Sequence, residues 1–410
     1  MPNINPARLL ADLKALRSFG RHGTGVVRPS LSPVDLEARR WLCERMQDAG
    51  LEARIDGVGN VMGRSRHAGP ALLIGSHSDT QPTGGWLDGA LGVMYALEVA
   101  RACAEDEQTR HLAIDTVAWV DEESTFTSCL GSRSYCGLVT AEEVETARNR
   151  DGVMLTDAWR EAGLDGVVTQ PEPGRYLGYL EAHIEQGANL ERDGKQIGVV
   201  TAIVGSRNFT VRFQGQQNHA GTTPMPLRKD AGMALIDFAY TVNQAFQRIA
   251  GPRTVWTIGR VAFHPGAASI IPGRAEMHLQ FRDPEASRLE VFEAKTHELI
   301  AAANRQGPVE VTLELAGQPI QPADMDPAFQ QHIATAAEHI APGKWSHMPS
   351  AAIHDAMFLA QIMPAGMLFV PSINGISHDF AEDTSAADIV RGCQVMATAV
   401  ASILTEAQTS

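Results

Sequence analysis

His77, Asp79 and Asp88 crowd one short segment, Gly75-Ser-His-Ser-Asp-Thr-Gln-Pro-Thr-Gly-Gly-Trp-Leu-Asp-Gly-Ala-Leu-Gly-Val93. Imidazole nitrogen and carboxylate oxygen are donors for divalent ions such as Zn²⁺ and Mn²⁺. A closed site needs further ligands, and the chain supplies them. The string Asp115-Thr-Val-Ala-Trp-Val-Asp-Glu-Glu123 is an apolar strand pattern that ends in acids. Adjacent carboxylates after such a strand are costly unless a cation or a proton holds them together. Two neighbours on a loop can point apart, one binding metal while the other stays free as a base. His183, in Glu-Ala-His-Ile-Glu-Gln-Gly, and His378, in Gly-Ile-Ser-His-Asp, are both set among glycine and small polar residues.

These groups must be carried by elements. The apolar run 71–74 reads as a buried strand and residues 94–103 as a helix, so His77, Asp79 and Asp88 lie where a strand hands over to a loop. Residues 6–18 and 33–49 read as amphipathic helices, 114–120 and 177–182 as further strands. Strands alternating with helices predict a sheet covered by helices. After residue 205 the texture changes. Phe209, Val211 and Phe213 alternate with polar neighbours, as do Met277, Leu279 and Phe281. That is the period of half-buried strands. Helical spacing follows in Ala231, Leu235, Phe238, Val242 and Phe246, then over 288–304, with a strand at 309–315. From about 325 the first texture returns: a helix near 327–340, a strand at 366–370, and a helix from Ala386. The expected architecture is α/β, residues 1–205 and 325–410 forming a mixed sheet covered by helices. A smaller α+β unit, 206–324, is inserted in it.

The chain has 410 residues, 44% hydrophobic and 20% charged, with a net charge of −14. Length suits two domains. The negative balance argues against nucleic acid and anionic membranes as partners. Cys43, Cys103, Cys129, Cys136 and Cys393 are odd in number, scattered and without a Cys-x-x-Cys pair, which fits reduced thiols and a cytoplasmic protein. Met1-Pro-Asn-Ile-Asn lacks the character of a signal peptide, and no run approaches the roughly 20 apolar residues of a membrane helix.

Together the motifs resemble the M20 peptidase family, and within it the amidohydrolase branch of N-carbamoyl-L-amino acid, allantoate and ureidoglycolate hydrolases. They are His-x-Asp with a later Asp-Gly, Glu-Glu, His-Ile-Glu-Gln-Gly, Asn-His-Ala-Gly-Thr-Thr-Pro-Met, and Gly-Ile-Ser-His. They span residues 70 to 395. The resemblance implies a dinuclear catalytic domain and an inserted lid that also makes a homodimer. It implies two divalent ions per subunit (Zn, Mn or Co), held by His77, Asp88, Glu123, His183 and His378, with Asp88 bridging. It implies Glu122 as general base, Asp79 as the carboxylate behind His77, and His219 as an oxyanion donor reaching the partner's site. Gln186, Ser269, Arg282 and His354 would contact a small substrate with a free carboxylate. Taken singly, each residue has a plainer reading. A lone histidine beside glycine is usually a hydrogen-bonded structural residue, Asp79 could cap a loop, His219 could cap the helix after Pro226, and Arg282 could be a solvated strand residue. The roles of Glu122 and Glu123 could be exchanged, or Asp121 could join them.

There are departures. Ser269 stands before Ile-Ile-Pro-Gly where the family usually has Asn. Ser350-Ala-Ala-Ile-His-Asp-Ala356 lacks two glycines of the usual motif, placing Ile353 beside His354. The Arg that usually precedes the family's Phe is missing before Phe126. These bear on substrate, not on ligands. The expected activity is hydrolysis of a linear C–N amide bond, a carbamoyl or ureido group on a small carboxylate. The rivals are an N-acyl-amino acid deacylase or dipeptidase, and a non-catalytic small-molecule binder. A structural zinc module is excluded because such sites are closed and Cys-rich.

Overall fold

A computed structural model describes residues 1–409 and divides the chain into two compact units, Met1–Ala202 with Asp324–Ser410, and Ile203–Ala323. In the large unit four strands run parallel at the centre of a mixed sheet: Ala365–Val370, Tyr176–Ile184, Ala71–His77 and Ala113–Trp119. Every residue of Ala71–His77 and Ala113–Trp119 is buried, as continuous apolar strands between helical layers require. Parallel strands put their C-terminal ends along one edge, where ligands gather in open α/β sheets. His77 lies level with Trp119, and His183 with Phe369. The acids after Trp119 and the segment after Val370 therefore leave the sheet beside both imidazoles.

Helix Ala90–Glu105 is buried along almost its whole length. It starts four residues before the expected position because Gly89, at φ +63°, turns the chain into it. A Cβ on Gly89 would lie 2.4 Å from the His77 ring. Helices Pro6–Ser18, Pro33–Asp48 and Pro327–Ile340 begin with Pro behind capping Asn5, Ser32 and Asp326, a start signal legible in sequence. The last helix, Ala386–Thr409, corrects one expectation. It contains a stretch long and apolar enough to cross a membrane, with a mean hydropathy of 1.3. Two thirds of that stretch is buried, with Cys393, Met396 and Val400 in the core of the large unit. This is the composition of a core helix.

The small unit is a four-stranded antiparallel sheet in the order Val255–His264, Arg274–Asp283, Gly205–Gln214, Glu310–Leu315, with helices Ala231–Ile249 and Ala286–Gln306 packed against it. Along Arg274–Asp283 the residues Ala275, Met277, Leu279 and Phe281 are buried while Glu276, His278, Gln280 and Arg282 are half-buried. Phe246, Phe281 and Phe292 interlock with centroids 4.4–5.6 Å apart. Burial of each such side chain contributes roughly 1.5–3 kcal/mol.

Candidate metal centre

Three imidazoles converge on one carboxylate. Asp88 Oδ1 lies 3.1 Å from His183 Nε2 and 3.5 Å from His77 Nε2, while Oδ2 lies 3.4 Å from His378 Nε2. Glu123 Oε1 is 3.8 Å from the same His378 nitrogen. The donors fall into two trios, His77–Asp88–His183 and Asp88–Glu123–His378, each with its donor atoms within 4.8 Å of one another. Asp88 belongs to both, one oxygen facing each. Glu122 Oε2 sits 3.7 Å from His77 Nε2, and its Oε1 accepts from the Cys129 thiol at 3.7 Å.

The local chain makes this possible at a cost in strain. Asp121, Ser124, Cys129, Gln186 and His378 all have positive φ, a region that costs a non-glycine residue on the order of 1–3 kcal/mol and collects at functional sites. Asp121 is held there by the N–H groups of Thr125, Phe126 and Thr127, at 2.7–2.9 Å. This folds the loop back so that Glu122 and Glu123 point into the cluster.

Whether divalent ions fit is decided by the donors. His77 Nδ1 faces the Asp79 carbonyl at 3.1 Å and His183 Nδ1 the Ile184 carbonyl at 2.9 Å. Each carbonyl fixes the proton on Nδ1 and leaves Nε2 as the ligand atom. Glu123 Oε1 is buried without a hydrogen-bond partner. Electrostatics point the same way. Burial resists charging His77, but Glu122, Asp88 and Asp79 outweigh it and hold its pKa well above the ordinary value. The hydrogen bond to Asp88 lifts His378 to about 9. Burial lifts Glu123 to about 7, with Asp88 adding, and lifts Asp121 to about 7, with Asp79 adding. Glu122 is pushed well up, by burial first, although His77 opposes the rise. Asp88 stays far below the usual carboxylate range despite burial, because all three imidazoles bond it. So many buried acids create a deficit of positive charge, and divalent cations on these donors would fill it.

Two expectations are corrected. The Asp79 carboxylate is not the nearest partner of His77. It is 3.8 Å away, the Asp79 carbonyl takes the contact, and Oδ2 instead accepts the Glu123 N–H at 3.1 Å. His354, expected on the substrate, is only 2% exposed. It packs edge-on beneath His183 at 4.6 Å and bonds the Ser350 hydroxyl at 2.8 Å, and burial holds its pKa well below the ordinary value, with His183 adding. It thus backs the His183 ring and presents almost no surface in this structure. Gln186 is where a substrate contact would be useful: Nε2 donates to Asp88 Oδ2 at 3.0 Å, while Oε1 has no hydrogen-bond partner.

Sequence reasoning missed several residues here. Gln81 Nε2 donates to Glu123 Oε2 at 2.6 Å. Glu382 and Ser377 bond the Asp88 segment. Arg39, fully buried, bonds Asp35 and the carbonyls of Ala118 and Trp119, with Nη2 3.9 Å from Asp79. Among these, only the buried charge of Arg39 on a helix offered a signal.

The small unit carries the other candidates. Asn218–His219 pairs with Ile270–Ile271, and the Ala220 N–H bonds the Ser269 carbonyl at 2.9 Å, so His219 and Ser269 are brought together. His219 is exposed, and its Nδ1 accepts the N–H groups of Gly221 and Thr222 at 3.0 and 3.2 Å. The proton therefore sits on Nε2, a free-facing donor. Arg282 lies on the half-buried polar face, its Nε donating to Gln280 at 3.0 Å. Ser269 lies beyond the Arg274 end of strand Arg274–Asp283. Arg274 to Arg282 is eight steps of about 3.3 Å, roughly 26 Å. Within one chain Ser269 and Arg282 cannot flank the same carboxylate, contrary to expectation.

Fold and cluster define a metal-hydrolase type of α/β protein with a second, inserted α+β unit. Residues 73–402 match the family described as Peptidase family M20/M25/M40, and the chain belongs to it. It is 34% identical to an N-carbamoyl-L-amino-acid amidohydrolase of Paenarthrobacter aurescens, over 95% of this chain and 96% of that one. It is 33% identical to the allantoate amidohydrolase of Escherichia coli (strain K12), over 93% and 94%. A crystal structure of an amidase of the hydantoinase/carbamoylase family from Burkholderia phymatum superposes with a TM-score of 0.93 at 55% identity, covering 99% of both chains.

Proposed function

We propose that this chain is a binuclear metal-dependent amidohydrolase that cleaves the linear C–N bond of a carbamoyl or ureido group on a small carboxylate. The observation that carries the reading is the sharing of Asp88 between two donor trios. His77, Asp88, His183, Glu123 and His378 would hold two divalent ions, which when bound lower the pKa of a water and offset charge on oxygen. Glu122, half-buried beside the trios without belonging to either, takes the proton of the attacking water and delivers it to the leaving nitrogen as the C–N bond breaks. His219, with its proton on Nε2, donates to the carbonyl oxygen as charge develops there. Arg282 grips the carboxylate through its planar fork.

The separation of Ser269 from Arg282 supports a homodimer. Arg282 would act on its own chain's substrate, while His219 and Ser269 serve the partner's site. The small unit carries surface for such a contact: Met233, Ile236 and Tyr240 project from one helix at 49–68% exposure, and Val255–His264 is an unpaired sheet edge with Val261 and Phe263 exposed. Cytoplasmic placement is proposed on the five free cysteines. An ammonia-release screen tests the function. It covers N-carbamoyl amino acids, allantoate and ureidoglycolate, with an acid-release assay for N-acyl amino acids, each with Mn²⁺, Co²⁺ or Zn²⁺. Ammonia from a ureido or carbamoyl acid is the expected result. Turnover confined to N-acyl substrates would replace the proposal with a deacylase, and no turnover on any arm would favour a binder.

A further inference from the structure

We propose that Glu382 is the positioning residue of the metal centre, its carboxylate clamping the Asp88 segment to the segment that carries His378. Oε1 accepts the N–H groups of Leu87 and Asp88, both at 3.1 Å. Oε2 accepts the Ser377 hydroxyl at 3.1 Å, and the Ser377 Oγ is itself 3.3 Å from Asp88 Oδ2. One carboxylate thus holds the backbone of Asp88 directly and, through Oε2, shares with Asp88 Oδ2 the single proton of the Ser377 hydroxyl. Glu382 is 1% exposed, so its oxygens would be costly to bury without these bonds. With all of them used on N–H and O–H donors, Glu382 supports the ligands without being one.

The need for a clamp follows from where the ligands sit. His77 and His183 belong to strands of the central sheet, which set their place. Asp88 and His378 lie on irregular segments after strand ends, His378 with φ +55°. Asp88 is common to both trios, so a small displacement of it would detune both at once. Ligands on loops keep their geometry only through outer partners. Two neighbours reinforce the clamp. Trp86 Nε1 bonds Asp383 Oδ1 at 3.3 Å, a second tie between the same segments. Gly85 leaves the carboxylate its room, since a Cβ there would lie 1.8 Å from Glu382 Oε1.

The inference rests on the metal reading above and is tested on the full-length chain, stripped by chelator and titrated with Mn²⁺ by calorimetry. Absorption spectra of the Co²⁺-loaded protein are recorded alongside. Glu382→Ala should weaken Mn²⁺ binding by about 10–100-fold, the usual effect of removing an outer partner. Glu382→Gln keeps an acceptor for the two N–H groups but loses the charge, so its loss should be smaller, with shifted Co²⁺ bands. Gly85→Ala should mimic Glu382→Ala by displacing the carboxylate, and should add nothing in the Glu382→Ala background, where the space is vacant. Asp115→Asn is the comparator. It disturbs the buried Arg175–Asp115 pair at the far end of strand Ala113–Trp119 and should lower Tm while leaving Mn²⁺ affinity and Co²⁺ bands unchanged. Wild-type affinity and spectrum in Glu382→Gln and Gly85→Ala overturn the proposal even if Glu382→Ala fails to fold, and so do multiplying effects in the double variant. A wild type that binds no Mn²⁺ would instead remove the metal reading itself.

Discussion

In the large unit the candidate ligands gather at and just beyond the ends of parallel strands, with His77, Asp88 and His183 buried, Glu123 half-buried and His378 exposed at the rim. In the small unit His219 is exposed and Arg282 half-buried, both on antiparallel elements. The backbone differs in the same way. All the non-glycine residues with positive φ belong to the large unit, and among the described residues the small unit has none. Strain and buried charge are tolerated where a fixed cluster must exist before substrate arrives. The small unit carries instead a hydrophobic core of ordinary geometry and polar groups aimed outward, which suits groups that engage a substrate only when it is present. The buried region should therefore govern the chemical step, and the exposed one substrate grip and charge stabilisation.

The largest effect expected from that contrast is loss of metal. Chelation should abolish turnover while circular dichroism shows a folded chain, since the core of each unit is apolar and independent of the cluster. Added Mn²⁺ or Zn²⁺ should restore activity. Full turnover in a preparation shown to be metal-free would sink the central reading.

Next in size is Glu122→Gln. An amide cannot take the proton of water, and base catalysis is worth about 10²–10⁴-fold, so kcat should fall by that order with metal content intact. Glu123→Gln should show the opposite split, with weakened metal binding. Metal analysis that finds the two patterns reversed would exchange their roles.

His219→Ala should lower kcat by about 10²–10³-fold, in the range of a lost oxyanion donor, with metal content unchanged. Mixed with Glu122→Gln subunits it should regain activity, because some hybrid sites then carry both groups. Proven subunit exchange without recovery would place His219 in its own chain's site.

Arg282→Ala should act mainly on KM, roughly 10–100-fold, in line with a charge-assisted bond of about 1.5–3 kcal/mol. Arg282→Lys should recover only part of this, because an ammonium lacks the planar fork. Equal cleavage of a substrate and its carboxamide by the wild type would show that Arg282 does not read the carboxylate, and the contrast between the two units would lose its substrate-gripping half.

Much of this was legible residue by residue. The alternation of Met277, Leu279 and Phe281, the Asn5-Pro6 and Ser32-Pro33 helix starts, and the apolar strand leading into Glu122-Glu123 all follow from local periodicity and capping. Strand Val255–His264 was not, because a sheet edge exposes residues of both parities and blurs the alternation. Gln81, Glu382 and Ser377 were not, because a carboxylate, amide or hydroxyl in a loop looks the same whether it holds a ligand or faces water.

The sequence by itself determined the donor types, their order along the chain, and the two textures that separate a parallel α/β unit from an antiparallel α+β one, since these depend on side-chain chemistry and on periods of a few residues. Only the tertiary structure decided that the Asp79 carbonyl and not its carboxylate takes the His77 proton. It also decided that His354 is packed beneath His183, and that Ser269 and Arg282 stand at opposite ends of one strand. Each of these depends on exact separations between atoms, whether two residues apart in the chain, as for His77 and Asp79, or 171, as for His183 and His354. A hydrogen bond is gained or lost within a few tenths of an ångström, and no local pattern encodes distance on that scale.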